Sequence, residues 1–295
     1  MPPLPPLFGV DPCRQRLPAG PWRQLGDYLR DQFPGVGPEA WQERFAAGRA
    51  VDGQGARLSW DQPYPAGAEL HYYRELPAEP PIPFAETILY QDADLLVADK
   101  PPFLPVVPAG RFLRETLLIR LRQRTGLAEL TPVHRLDRHT AGLVLFSCRV
   151  SSRDAYTALF RERQITKVYH ALAPIDPTLT WPQVRRSRIA TAEPFFCMAE
   201  IPGPPNAETR IQLLEQRGAE GLYRLEPLTG RKHQLRVHMA ALGLPIRGDL
   251  LYPQVTSEAG IDDWSKPLQL LAQSLGFIDP LTGEPRRFAS LQQLG

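Results

Sequence analysis

Cysteine is scarce in this chain of 295 residues: Cys13, Cys148 and Cys197 are odd in number and far apart. They offer neither a disulfide framework nor a CxxC metal pair, which points to a reducing, cytoplasmic setting. No apolar run approaches the ~20 residues of a membrane-crossing helix. The opening MPPLPPLFGVDPCRQ lacks a positive region ahead of an apolar stretch, so it does not read as a signal peptide. The six histidines (His71, His134, His139, His170, His233 and His238) make neither HExxH nor a Cys/His cluster, so no metal is expected. No internal repeat is visible.

What is present is an ordinary globular composition, 43% hydrophobic and 22% charged, with an uneven distribution of charge. The net charge is +2, yet residues 111–190 hold 15 Lys/Arg against 6 Asp/Glu, a local +9. The remainder therefore carries −7. A basic middle on an acidic protein fits either a cationic face for a polyanion or a solvated helix surface.

Residues 1–20 are rich in proline and are expected to be irregular. From Trp22 onward, Leu25, Tyr28 and Leu29 recur at helical spacing, and Trp41, Phe45 and Ala46 mark a second short helix. Asp52-Gly53 signals a turn, and Glu69–Tyr73 alternates as a strand. Residues 21–76 thus make a small unit, and the proline-rich stretch Pro77–Pro83 is a semi-rigid spacer. Residues 84–295 form the larger domain. Two strands flank the Asp92-Ala93-Asp94 turn, AGLVLFSC is a buried strand, and Ser151 or Ser152 caps a helix carrying Leu159 and Phe160. ITKVYHAL, TRIQLLEQ and LYRLEPL read as strands, and RKHQLRVHMAALG as a helix stopped by Gly243. Strands and helices mix without a regular βαβ rhythm, so the class is α+β.

Two segments carry chemistry. In PVHRLDRHTAGLVLFS, Asp137 lies between Arg135 and Arg138 just ahead of the buried strand. Nearby positive charge favours an ionised carboxylate, which serves as nucleophile or general base, or else pins a turn. In LTGRKHQLRVH, Thr229-Gly230 forms a turn into a helix start beside Arg231 and Lys232, which suits a phosphate or simply a capped basic helix. His233 and Arg236 share a face of that helix.

Together these segments resemble the RluA family of pseudouridine synthases. The family's HRLD-x-x-T-[ST]-G run appears as HRLDRHTAGLVL, and its G-R-x-H-Q-[IL]-R-x-H as GRKHQLRVH. Its R-x-[IV]-x-K-x-Y matches Arg163–Tyr169, and DKPPFLPVVP from Asp99 matches its [NDV]-K-P pattern. Four motifs in order over roughly 140 residues are far more specific than one. Ala141 departs from the usual Ser or Thr, which trims loop hydrogen bonding and leaves the carboxylate untouched.

The resemblance implies a mixed, mostly antiparallel central sheet with flanking helices and loops, and isomerisation of uridine in rRNA or tRNA. It implies Asp137 as the catalytic aspartate, Arg236 as its partner and Tyr169 as the ring that stacks on the uracil. Arg135 would fill the gap left by a flipped nucleotide, and Leu235 would pack beneath the site. Arg138, Lys167, Arg231, Lys232 and His233 would contact RNA. No cofactor is implied, because substrate and product are isomers, and a monomer is expected.

The small unit resembles the αL RNA-binding module of a ribosomal protein, in a weakened form, RFAAGRAVDGQG. His-Arg-Leu-Asp does not match the His-Arg-Asp of kinases, and no glycine-rich loop or DFG accompanies it. A catalytically silent RNA-binding protein or RNA chaperone is the rival of another class. A hydrolase would want a second carboxylate that no matched motif supplies.

Overall fold

A computed structural model describes residues 3–74, 79–260 and 262–295, arranged as two compact units. The first comprises Met1–Glu79 and Gly110–Arg114, the second Pro80–Ala109 and Glu115–Gly295.

In the first unit, β1 (Cys13–Arg16), α1 (Leu25–Gln32), α2 (Pro38–Ala46), β2 (Ala50–Asp52) and β3 (Glu69–Tyr72) follow in order, and the strands pair as β1-β3-β2. The expectation of an irregular 1–20 tail is corrected here. Cys13–Arg16 pairs antiparallel with β3, and Leu17 is fully buried beside Leu25, because this apolar side chain completes the small core. Residues 1 and 2, and residues 75 and 76 of the expected unit, lie outside the described residues. So do residues 77 and 78 of the expected spacer; the division falls between Glu79 and Pro80, inside it. Part of that spacer is packed rather than free: Ile82 is buried, its N–H donates to Glu115 at 2.9 Å, and its carbonyl accepts from Arg120 at 2.8 Å. Gly110–Arg114, expected in the larger domain, clusters with the first unit.

The second unit contains β4 (Thr87–Gln91), β5 (Leu95–Lys100), α3 (Leu117–Thr125), β6 (Thr131–Pro132), β7 (Ala141–Ser147), α4 (Val150–Arg161) and β8 (Thr166–Pro174). It continues with β9 (Gln183–Thr191), β10 (Met198–Ile201), β11 (Ala207–Arg217), β12 (Glu220–Pro227), α5 (Gln234–Ala241), β13 (Leu270–Ile278) and β14 (Pro285–Ala289). Eleven of these strands form one sheet in the order β10-β9-β11-β12-β8-β13-β7-β5-β4, with β14 on β13 and β6 on β7. All pairings are antiparallel except β13 with β7. The α+β, mostly antiparallel sheet expected from the sequence is the one found. Helix α4 starts after Arg149, so neither Ser151 nor Ser152 is its cap; Ser152 instead turns its hydroxyl back to the Arg149 carbonyl at 3.3 Å.

One row of this sheet places the site. Ala272 of β13 faces Gly142 of β7 on one side and Tyr169 of β8 on the other. Gly142 has φ +109°, and a Cβ there would lie 2.4 Å from the Ala272 carbonyl oxygen, so only glycine lets the two strands meet. That contact joins the HRLD turn to the strand bearing Tyr169, across more than 30 residues of sequence. No helix among the described residues is long and apolar enough to cross a membrane.

Candidate active site

Asp137 sits in the turn between β6 and β7, which the Thr140 N–H closes onto the Asp137 carbonyl at 3.1 Å. The turn is held from both sides. Before it, His134 accepts from the Leu145 N–H at 3.1 Å and stacks on Phe160 with centroids 4.4 Å apart. Burial pushes this imidazole down to about 3, so it stays neutral and structural. Behind the turn, the fully buried Lys100 donates to the carbonyls of Pro101 (2.9 Å) and Arg138 (3.0 Å). Burial lowers that ammonium to about 7, while the Asp137 charge pulls it up.

The cation that faces Asp137 is not one of its sequence neighbours. Arg138 turns away, donating from Nε to the Phe103 carbonyl at 3.0 Å and pairing with Asp262. The Arg138 guanidinium, one of the two flanking cations noted in the sequence, is thus committed within the protein. Arg236 of α5 brings Nη1 to 3.5 Å from Asp137 Oδ2. That contact is long, and the guanidinium is anchored elsewhere: Nε and Nη2 form a bidentate pair with Asp249 at 2.7 and 2.6 Å. Both partners are nearly inaccessible to water. Asp249 also accepts the N–H groups of Leu251 (2.9 Å) and Tyr252 (3.2 Å), so its own position is set by backbone. The fork leaves one N–H edge of Arg236 to present to Asp137.

His233 completes this wall. It begins α5 in the left-handed region (φ 56°), and its Nε2 lies 3.8 Å from Asp137 Oδ2. The Tyr252 hydroxyl accepts from the Met198 N–H at 2.9 Å and lies 2.7 Å from His233 Nδ1. The Tyr252 hydroxyl thus bridges the Met198 backbone and the His233 ring and fixes the imidazole with its Nε2 edge towards Asp137. Burial keeps His233 below the usual histidine range although Asp137 opposes this. Tyr252 also lies 5.1 Å beneath the Arg236 guanidinium. Asp249 and Tyr252 were missed in the sequence. Their trace there is the short Arg247-Gly248-Asp249-Leu250-Leu251-Tyr252 segment after α5, a Gly-Asp turn with an aromatic three residues on.

His134, Asp137, Arg138, His233 and Arg236 border a cavity of about 760 Å³, with Asp249 and Tyr252 behind its wall. Tyr169, Leu235, Lys167, Arg135, Arg231 and Lys232 line it with Asp137, Arg138, His233 and Arg236, so every residue singled out in the sequence falls on one cavity. Burial, with the Asp137 charge, raises the Tyr169 hydroxyl well above the usual phenol range, so it remains protonated. Leu235 is buried in the core cluster against which Tyr169 packs. Lys167 reaches the Thr229 carbonyl at 3.5 Å, whereas Arg135, Arg231 and Lys232 are exposed at the rim. The turn before α5 is locked by Gln234, whose Oε1 accepts from the Thr229 hydroxyl (2.7 Å) and the Arg231 N–H (3.0 Å). The Gln234 N–H is likewise used, on the Arg231 carbonyl at 3.1 Å. Anion attraction at this turn thus falls to the side chains of Arg231 and Lys232 more than to these backbone donors.

Of the lining residues, seven are Lys or Arg and one, Asp137, is a carboxylate. A cationic trough with one acidic group suits a polyanion that delivers one reacting unit. A pair of carboxylates, as acid and base of a glycosidase, is not assembled among the described residues of the cavity. Nor do three or more His, Cys, Asp or Glu come together among the described residues as a metal would need.

The model of the RNA pseudouridylate synthase family matches residues 94–241, which include both the Asp137 turn and α5. An uncharacterised RNA pseudouridine synthase of Synechocystis is 32% identical over 77% of this chain and 78% of its own length. The dual-specificity RNA pseudouridine synthase RluA of Haemophilus influenzae is 30% identical over 71% of this chain and 94% of its own. The solved structure of human RNA pseudouridylate synthase domain containing 1 superposes with a TM-score of 0.59 at 26% identity, covering 73% of this chain and 86% of that one. The chain belongs to the RNA pseudouridine synthase family, in its RluA type. Its activity is that of an isomerase acting on uridine in RNA.

Proposed function

We propose that this enzyme isomerises uridine in a stem-loop of ribosomal or transfer RNA, in the cytoplasm and as a monomer, with Asp137 as the reacting group. The observation that carries the assignment is a single carboxylate, 3.5 Å from an arginine whose remaining donors are held by Asp249, in a cavity walled by Tyr169. The reaction breaks the bond between ribose C1′ and uracil N1, turns the base, and joins C1′ to C5. The C5 proton leaves and N1 gains one, so atoms balance with no cofactor. Asp137 forms the transient bond or removes the proton that allows the glycosidic bond to break; Arg236 faces it and aims it. Tyr169 offers its face to the uracil, and Leu235 supports that ring from below.

To reach Asp137 the uridine must leave its stack, at a cost of a few kcal/mol. Arg135, exposed at the rim, is suited to occupy the space left behind. Arg231, Lys232 and Lys167 attract the phosphates, while Arg138, already paired, acts on the turn. His233, expected on the RNA, is better read as a neighbour of Asp137, with Nε2 at 3.8 Å. The first unit carries ten Arg against ten Asp and Glu, so long-range attraction for RNA arises from the second unit. A silent RNA-binding role is disfavoured because Asp137, Arg236 and Tyr169 are all retained at one cavity.

The test is Asp137→Asn. The variant should fold and bind RNA as the wild type does, yet leave as uridine the positions that chemical labelling maps to pseudouridine in cells containing the protein. Undiminished pseudouridine in that variant rules out the assignment.

A further inference from the structure

The hairpin formed by β9 and β10 carries two adjacent large aromatics that nothing in the core uses. Phe195 is 78% exposed and Phe196 38%, with their rings edge to face at 5.6 Å. Single exposed apolar residues are ordinary. Two rings in succession on a closed turn are a different matter, since they form a ready aromatic surface. The turn is tight: the Ala192 N–H donates to Cys197 (3.1 Å) and the Cys197 N–H to Pro194 (2.7 Å). Cys197 behind them is buried, so the rings stand on an anchored support rather than a loose loop.

The turn end of this hairpin is bonded to a residue that braces the site from behind. Met198, the first residue of β10, donates to the Tyr252 hydroxyl, which in turn holds His233 beside Asp137. The hairpin also adds positive charge. Arg185 and Arg186 are paired with Glu200 and Glu208, while Arg188 is exposed and makes no ion pair among the described residues. The turn thus carries two exposed rings with the exposed Glu193 carboxylate beside them, its flank carries the exposed Arg188, and Met198 ties its end through Tyr252 to His233.

We infer that Phe195 and Phe196 form a stacking platform for an unpaired base of the substrate RNA, next in the strand to the uridine that enters the cavity. The inference rests on the RNA reading above. A nucleotide strand presents a π-face at every base and a phosphate between bases, which matches an aromatic pair flanked by an arginine. Extruding the uridine disrupts its neighbour's stacking, and a protein ring that receives the neighbour offsets that loss.

The experiment is steady-state kinetics on an unmodified transcript of the stem-loop that labelling identifies as modified in cells. The F195A/F196A double variant should raise KM about 10- to 100-fold, the loss carried by KM rather than kcat. Phe195→Leu, which keeps apolar surface but not the π-face, should also raise KM, and Phe195→Trp should restore it. A wild-type KM for the double variant while wild-type enzyme is active overturns the platform alone. No pseudouridine from the wild-type enzyme would instead count against the functional reading. A second copy of the chain is the competing occupant. Recovery of KM by Phe195→Leu, or a wild-type dimer that F195A/F196A dissociates in sedimentation, would assign the tip to protein contact and overturn the inference.

Discussion

The two units of this molecule are built on different chemistry. The first owes its order to rings: Trp41, fully buried, has Phe33 at 5.4 Å, Tyr72 at 5.1 Å and Phe45 at 6.2 Å, with the Arg44 guanidinium over its face at 4.8 Å. Its charge is balanced. The second buries charge beside its cavity: Lys100, Arg236 and Asp249 are withdrawn from water, and each is satisfied by a specific partner. Aromatic packing stabilises through area and dispersion. Buried ion pairs seldom add net stability, but removing one partner leaves an isolated charge. The lesson is that in the first unit a substitution should cost stability, whereas around the cavity it should cost rate, with or without stability according to whether a buried charge is orphaned.

Four substitutions test that contrast. The largest expected effect is on rate: Arg236→Ala should lower kcat/KM by roughly 100-fold or more, since Asp137 loses its facing cation. A wild-type rate would refute the pairing. Asp249→Ala comes next, because it orphans Arg236. It should lower stability by about 3–5 kcal/mol in urea unfolding and reduce activity as well. Asp137→Asn, whose carboxylate is partly exposed, should leave the unfolding midpoint nearly unchanged, so the two aspartates on one guanidinium are separable. An equal loss of stability in both would blur the distinction. In the first unit, Trp41→Ala should also cost about 3–5 kcal/mol in the unfolding transition of that unit. If the protein is held below that transition, kcat should be kept, and an equal fall in kcat would erase the contrast between the units.

The smallest effect is on pH. His238 is fully buried, bonded to Ser187 and Thr209, and burial pushes it down to about 4. His134 and His139 are lowered to about 3 and about 4 by the same cause. Between pH 6.5 and 4 the unfolded chain therefore binds protons that the folded one refuses. Stability should be intact above pH 6.5 and fall on acidification by roughly 1.4 kcal/mol per pH unit for each such group. Calorimetry across that range checks the slope, and His238→Gln should flatten part of it. A Tm that stays level to pH 4.5 would contradict the direction.

Local pattern revealed most of the elements, because period and turn chemistry are written in neighbouring residues. The strands around Asp92–Asp94 and the run AGLVLFSC were read correctly, since each alternates or is continuously apolar between turns. The 13–16 strand was hidden because its pairing partner, β3, begins more than 50 residues later, and proline around it argued for irregular chain. At the site, Asp137 and the LTGRKHQLRVH segment stood out by residue type. Asp249 did not: an Asp after a glycine is usually a turn former, and only the fold shows it gripping Arg236. The direction of Arg138 was equally hidden, because adjacency in sequence says nothing of where a guanidinium points.

Sequence alone determined the class of fold and the family motifs, the one that contains Asp137 among them, for these depend on residue type and short spacing. Tertiary structure decided which cation Asp137 meets, which side chain braces His233, and that an exposed aromatic pair stands on the hairpin bonded to Tyr252. Those are distances between segments tens of residues apart, and they come from strand register: Gly142 against Ala272, and Ala272 against Tyr169.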